Sequence, residues 1–235
     1  MTIAPTTTLG DLVTEDPRRS RVLDEFGLDY CCGGQATLSE ACSAKGLDTQ
    51  QVAEALDLPD RGPAPEWQAL SLAELARHIV EQHHTYMWRE LPRLGMLVEK
   101  VAEVHGERHP ELAQVRADYG LLSEDLAAHL TKEERILFPG VLTLTEGDPN
   151  TLGGFRLANP IAQMLAEHDV AGDLLRRMRE TTRDYAMPED GCASYQAMLS
   201  GLEEMEADLH EHIHKENNVL FPAVIAYEND VRGAA

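Results

Sequence analysis

The chain has 235 residues, a formal net charge of −21, 43% hydrophobic content and only 5% aromatics. An acidic field of that size repels phosphate, and no Lys/Arg-rich run offsets it, so nucleic acid and anionic membrane surfaces are excluded as partners. Ala, Leu and Glu are abundant and β-branched runs are absent, which predicts an all-α protein.

No apolar run approaches the roughly 20 residues of a membrane span. The stretch from Met1 to Gly10 lacks the basic start and apolar segment of an export signal. Four cysteines (Cys31, Cys32, Cys42, Cys192) do not make a disulfide scaffold in a chain this long, and a reducing cytoplasm is the expected location.

Residues 1–57 read as a small unit of short helices. Asp16-Pro17 predicts a helix start and Gly27 its end; Thr37-Leu-Ser-Glu40 has capping-box spacing, with Gly46 as the stop; Asp48 caps a helix through Val52 to Leu56. Between the first two lies Asp29-Tyr30-Cys31-Cys32-Gly33-Gly34. Adjacent cysteines pair only in a strained ring and do not easily hold a tetrahedral metal alone. The glycines permit an unusual backbone, and the following helix start can lower a thiol pKa. Two small apolar fillers in a turn is the plainer reading.

Residues 58–66 are a linker, with three prolines and a glycine between Leu58 and Pro65. Residues 67–229 hold four long helical segments: Trp67 to Val104 with a kink at Pro92, Pro110 to Pro139, Pro160 to Tyr185 and Cys192 to Tyr227. Four such helices on moderate connections predict an up-down four-helix bundle.

Two of these segments repeat one motif. His129-Leu-Thr-Lys-Glu133-Glu-Arg-Ile-Leu-Phe-Pro139-Gly-Val141 recurs as His212-Ile-His-Lys-Glu216-Asn-Asn-Val-Leu-Phe-Pro222-Ala-Val224, each reading H-x-x-K-E-x-x-I/V-L-F-P-x-V. A His and a Glu four apart share one helix face and can reach one metal. The seams Leu122, Leu126, His129, Glu133, Ile136 and Leu202, Met205, Leu209, His212, Glu216, Val219 place each pair on the apolar side. Burying two unpartnered carboxylates would cost several kcal/mol, so a cation is expected between them.

The third helix adds His168, in a seam of Ile161, Met164, Ala171, Leu175 and Met178, while Glu167 and Asp169 fall off it. On the first helix periodicity does not choose between His83 and His84. His105 sits near a helix end, and His109, His210 and His214 read as solvated. One His from each helix and two Glu exceed the four ligands zinc prefers and suit two irons with bridging carboxylates. The E-x-x-H motifs of ferritin-like sites are absent.

These motifs together resemble the RIC (repair of iron centres) family, YtfE/ScdA type, across nearly the whole chain. Asp29-Tyr-Cys-Cys-Gly-Gly34 is similar to the hallmark of that family's first domain, and the two H-x-x-K-E-x-x-x-L-F-P stretches to its hemerythrin-like bundle. The resemblance implies a small N-terminal domain followed by a hemerythrin-like up-down four-helix bundle. It assigns His84 rather than His83, with His129, Glu133, His168, His212 and Glu216, as ligands of a carboxylate-bridged di-iron centre. It also raises His105 to a candidate ligand. True hemerythrins place a second histidine four residues after the one on the third helix; here that position is Gly172, which implies a more open centre.

The implied function is cytoplasmic repair of iron–sulfur clusters damaged by nitric oxide or oxidants, as an iron donor, with damaged iron–sulfur proteins as clients. Nitric oxide or dioxygen would be the small ligands, Cys31 and Cys32 would have a redox or transfer role, and the assembly would be a monomer or homodimer. An enzyme reducing nitric oxide is the alternative, and a gas or redox sensor ranks last.

Overall fold

A computed structural model describes residues 3–58 and 65–233. The described residues are mainly helical, and the β structure among them is a single antiparallel bridge between Thr8 and Thr37. The chain forms two compact units, one of residues 1–75 with 210–235 and one of residues 76–209. The proline-rich stretch of the expected linker falls largely on residues 59–64, outside the described residues.

The first unit starts with four short helices: α1 (Leu9–Glu15), α2 (Arg19–Glu25), α3 (Leu38–Lys45) and α4 (Thr49–Leu56). The expected capping box is present: the Thr37 hydroxyl accepts the Glu40 N–H and the Glu40 carboxylate accepts the Thr37 N–H. Gly46 ends α3 at φ 69°, a conformation that only glycine adopts cheaply. Asp48 caps α4. Helix α1, opened by the Thr8 hydroxyl, was not anticipated, because Leu9, Leu12 and Val13 are too few to show a period. Arg19 is buried and donates to the Leu12 and Leu56 carbonyls, satisfying the C-terminal ends of α1 and α4.

The same unit holds the end of the chain, including α11 (Phe221–Gly233) and the turn before it, Lys215–Leu220. Ile213 joins a core of Leu9, Leu12, Leu23, Leu38, Val52 and Leu56. His214, expected to be solvated, is instead buried: Tyr30 and Trp67 pack edge-on against its ring, and Thr14 and Asn218 lie 3.3 Å from its nitrogens. Burial pushes its pKa down to about 4, so it is neutral at pH 7. His210 is partly covered, 3.4 Å from Asp24.

The Cys31-Cys32 loop lies on this C-terminal segment. Asn218 donates from its amide to the Tyr30 and Cys31 carbonyls, and Asn217 donates to the Cys31 carbonyl as well. A Cβ on Gly34 would overlap the Asn218 amide and the Tyr30 carbonyl, and one on Gly10 would stand 2.6 Å from Asn218 Oδ1. The glycine that closes the cysteine motif is therefore required by close approach.

The second unit contains the second half of α5 (Leu72–Ile79), α6 (Thr85–His105), α7 (Leu112–Lys132), α8 (Phe138–Thr145), α9 (Ala158–Thr181) and most of α10 (Ala193–His214). Met87, Leu94, Val98, Leu122, Leu126, Leu175, Met178, Met198, Leu202 and Leu209 form its core, as expected for a four-helix bundle. Helix α6 runs through Pro92, and the Tyr119 hydroxyl donates to the neighbouring Leu91 carbonyl, tying α7 to α6. Buried Asp118 pairs with Arg177, and buried Glu206 with Arg179. Helix α9 stops at Thr181, short of the expected Tyr185, because Arg183, Asp184 and Tyr185 turn left-handed at φ 52–58°.

Three long helices widen for one turn. Val80–His84, Glu133–Leu137 and Lys215–Leu220 are π-helical, with Thr85, Phe138 and Phe221 donating to the carbonyl five residues back. Such turns recur at functional sites. In two of them a proline follows, Pro139 and Pro222. A proline has no N–H to give and its ring crowds the carbonyl four back, which the wider turn relieves. The extra residue shifts the apolar seam: Ile136 and Val219 were expected inside, yet Ile136 is 51% exposed and Val219 half-buried, while Leu137 and Leu220 are buried.

Gly34→Ala should cost roughly 1–3 kcal/mol in a denaturant titration and speed alkylation of Cys32. Gly154→Ala, where a Cβ meets nothing within 4 Å, should be near neutral.

Candidate metal centre

Four of the six expected ligands lie in the second unit, on three of its helices: His84 at the end of the first π turn, His129 on α7, Glu133 opening the next π turn, and His168 on α9. All four are at most 2% exposed. Glu133 Oε2 stands 3.4 Å from His84 Nε2 and 3.3 Å from His129 Nε2, and the Nε2 atoms of His129 and His168 are 3.0 Å apart. His129, Glu133 and His168 thus offer ligand atoms within 4.8 Å of one another.

The far side of each ring fixes its tautomer. His84 Nδ1 is 3.1 Å from Glu134 Oε1, and His129 Nδ1 is 2.9 Å from Glu167 Oε2. An ionised carboxylate only accepts, so Nδ1 of each ring carries the hydrogen and the Nε2 lone pair points at Glu133. Carboxylates holding imidazoles in this way are the usual outer support of metal ligands. Glu134 is itself fixed by the Trp88 indole N–H at 2.8 Å, and Phe138 stacks on the His84 ring. Glu167 takes hydrogen bonds from Lys132 and Gln163. Burial raises its pKa, but hydrogen bonds from Lys132, His129 and Gln163 outweigh that and hold the carboxyl below its ordinary range.

The remaining two expected ligands lie in the first unit. His212 and Glu216 are 1% and 0% exposed, and His212 Nε2 is 3.1 Å from Glu216 Oε1. The two repeated pairs therefore have the same geometry: a buried imidazole nitrogen just over 3 Å from a buried carboxylate, at the mouth of a π turn. Converging Nε2 lone pairs around a carboxylate suit a cation, and the N/O donor set fits iron.

His83, the alternative periodicity left open, is buried but turned to Asp208, its Nδ1 3.0 Å from Oδ1. His105 lies 21 residues along the helix from His84, about 30 Å away at 1.5 Å per residue. It is buried 3.2 Å from the Cys192 sulfur, with Arg108 and Tyr195 beside it. His109, expected to be solvated, is largely covered and lies between Glu111 and Asp190. Glu134 and Glu167 were not singled out by the sequence; the signal they carry is adjacency, an acid directly beside a ligand.

Residues 75–224 match the hemerythrin HHE cation binding domain, and residues 5–59 match ScdA_N, a domain of unknown function. The chain is 37% identical over 222 residues to the iron-sulfur cluster repair protein YtfE of Citrobacter koseri, covering 94% of this chain and 97% of the relative. The protein of that name from Escherichia coli O8 matches with the same identity and coverage.

Glu167→Gln should weaken metal binding about 10- to 100-fold in a chelator competition, because the His129 ring loses the carboxylate that orients it.

Proposed function

The chain belongs to the hemerythrin HHE cation-binding family and to the iron–sulfur cluster repair (RIC) proteins of the YtfE type, and from this we propose that it restores damaged iron–sulfur clusters by supplying iron from a di-iron centre. The observation that carries the reading is the buried convergence of His84, His129 and His168 on Glu133.

We assign His84, His129, Glu133, His168, His212 and Glu216 as the ligands, with Glu133 and Glu216 as bridging carboxylates. The repeated motif, the equal burial of both His-Glu pairs and the matched π turns support completing the set with His212 and Glu216. Bound iron supplies an exchangeable ion and open positions for a small ligand such as nitric oxide or dioxygen.

The protein's own groups hold that ion without closing its coordination. Glu134 and Glu167 keep the Nε2 lone pairs of His84 and His129 directed inward. On α9 the position one turn after His168 is Gly172, which has no side chain to bind with, so that helix gives a single ligand. Fewer protein ligands favour release over permanent retention. The organisation that goes with this reading is an N-terminal domain of residues 1–57, a linker of 58–66 and a bundle of 67–229. The setting is the cytoplasm, the clients are damaged iron–sulfur proteins and the assembly is a monomer or homodimer.

Anaerobically purified protein should carry about two irons per chain and lose them to an apo iron–sulfur enzyme as that enzyme regains activity. His168→Leu and Glu133→Leu should each lower iron content. Two irons that stay in place while nitric oxide is turned over would replace the donor reading with a reductase.

A further inference from the structure

Apart from the bundle histidines, a second group of metal-binding side chains converges in the N-terminal loop. Asp29, Cys31 and Cys32 offer a carboxylate and two sulfurs, all within 4.8 Å of one another. The Cys31 sulfur is 3.2 Å from Asp29 Oδ1 and 3.8 Å from the Cys32 sulfur. Two sulfurs bound at about 2.3 Å to one tetrahedral ion stand about 3.8 Å apart, so the observed separation already matches that geometry. The adjacent cysteines alone do not complete a tetrahedral site; the aspartate two residues before them adds a third ligand.

The loop is built to hold this shape. Asp29 Oδ1 accepts the backbone N–H groups of both Cys31 and Cys32. Gly33 lets the chain fold back on Asp29, since a Cβ there would sit 2.8 Å from the Asp29 carbonyl oxygen. Cys31 is buried, Cys32 half-buried and Asp29 exposed, which leaves the group reachable from one side. The hydrogen bond to Cys32, burial and the nearby Cys32 and Asp29 charges push the Cys31 thiol pKa well up. An incoming cation reverses that balance, because it replaces the protons of both thiols.

Location gives the group a purpose. Asn217 and Asn218, which hold the Tyr30 and Cys31 carbonyls, directly follow Glu216 in the π turn. The first copy of the motif has Glu134-Arg135 at these positions, so the amides belong to the copy on which the cysteine loop rests. We propose that Asp29, Cys31 and Cys32 form a second, transient site for a divalent borderline cation, Fe2+ in the working protein, fixed by Asn218 beside the turn that carries Glu216. The role as a way-station rests on the iron-donor reading; the metal site itself does not. Binding M2+ to the two thiols releases two protons and changes no oxidation state.

Co2+ is the probe. In the full chain carrying Glu133→Leu and His168→Leu, Co2+ added in excess of what the remaining His84, His129, His212 and Glu216 can hold should produce a near-ultraviolet thiolate-to-cobalt charge-transfer band. Cys31→Ser or Cys32→Ser added to that chain should abolish the band, and Asp29→Asn should weaken Co2+ binding about 10-fold or more. In the iron-loaded wild-type chain, where no substitution can disturb folding, added Co2+ should slow iodoacetamide alkylation of Cys32 at least 10-fold, reversibly with a chelator. No band, a band that survives both cysteine substitutions, or an unchanged alkylation rate would overturn the site. A chain that shows the band but delivers no iron refutes the donor reading while supporting the site; one that delivers iron at full rate without the band refutes the site alone.

Discussion

Burying Glu133 in an apolar helical seam is the constraint to which much of the second unit responds. An isolated carboxylate there would be very costly, and imidazole lone pairs facing it would not lower that cost; a cation held between Glu133 and the rings would. Orienting those rings takes further carboxylates, Glu134 and Glu167, and these need donors of their own in Trp88, Lys132 and Gln163. From the two rings outward to the surface the links are hydrogen bonds, each with its direction set by the one inside it.

The fold class, the bundle and the buried faces that carry the His-Glu pairs were legible because they depend on periodicity, which a sequence displays openly. Caps were legible too: Thr37, Gly46 and Asp48 act where their chemistry places them. What could not be read is whatever breaks the period. The π turns move the buried position from Ile136 to Leu137 and from Val219 to Leu220, and an α-helical template has no means of showing that. His214 misled for a different reason. It lies off the His212 face, and its burial comes from Tyr30 and Trp67, well over a hundred residues away in sequence. Periodicity left His83 and His84 open and the family resemblance chose His84; the structure turns the two apart, His84 lying beside Glu133 and His83 meeting Asp208.

The two copies of the repeated motif share their His and Glu positions and diverge immediately after them. Glu134 in the first copy orients His84, whereas Asn217 and Asn218 in the second are neutral and bind backbone carbonyls of the cysteine loop. The unchanged positions include the buried His-Glu pair and the apolar residues that follow it, Leu137-Phe138-Pro139 and Leu220-Phe221-Pro222. The changed ones adapt each copy to its surroundings, one supporting an imidazole and the other anchoring a loop.

The π turns also limit how the chain can change in length. One additional residue in a helical turn rotates everything downstream by about 100° relative to an unbroken α-helix. Side chains within Glu133–Leu137 or Lys215–Leu220 can therefore be exchanged, as the two copies demonstrate. A residue lost from either segment would restore the ordinary helical phase and turn Leu137 or Leu220 out of the interior. Insertions and deletions belong in the connections between helices, and within these two segments the number of residues is fixed even where their identities are not.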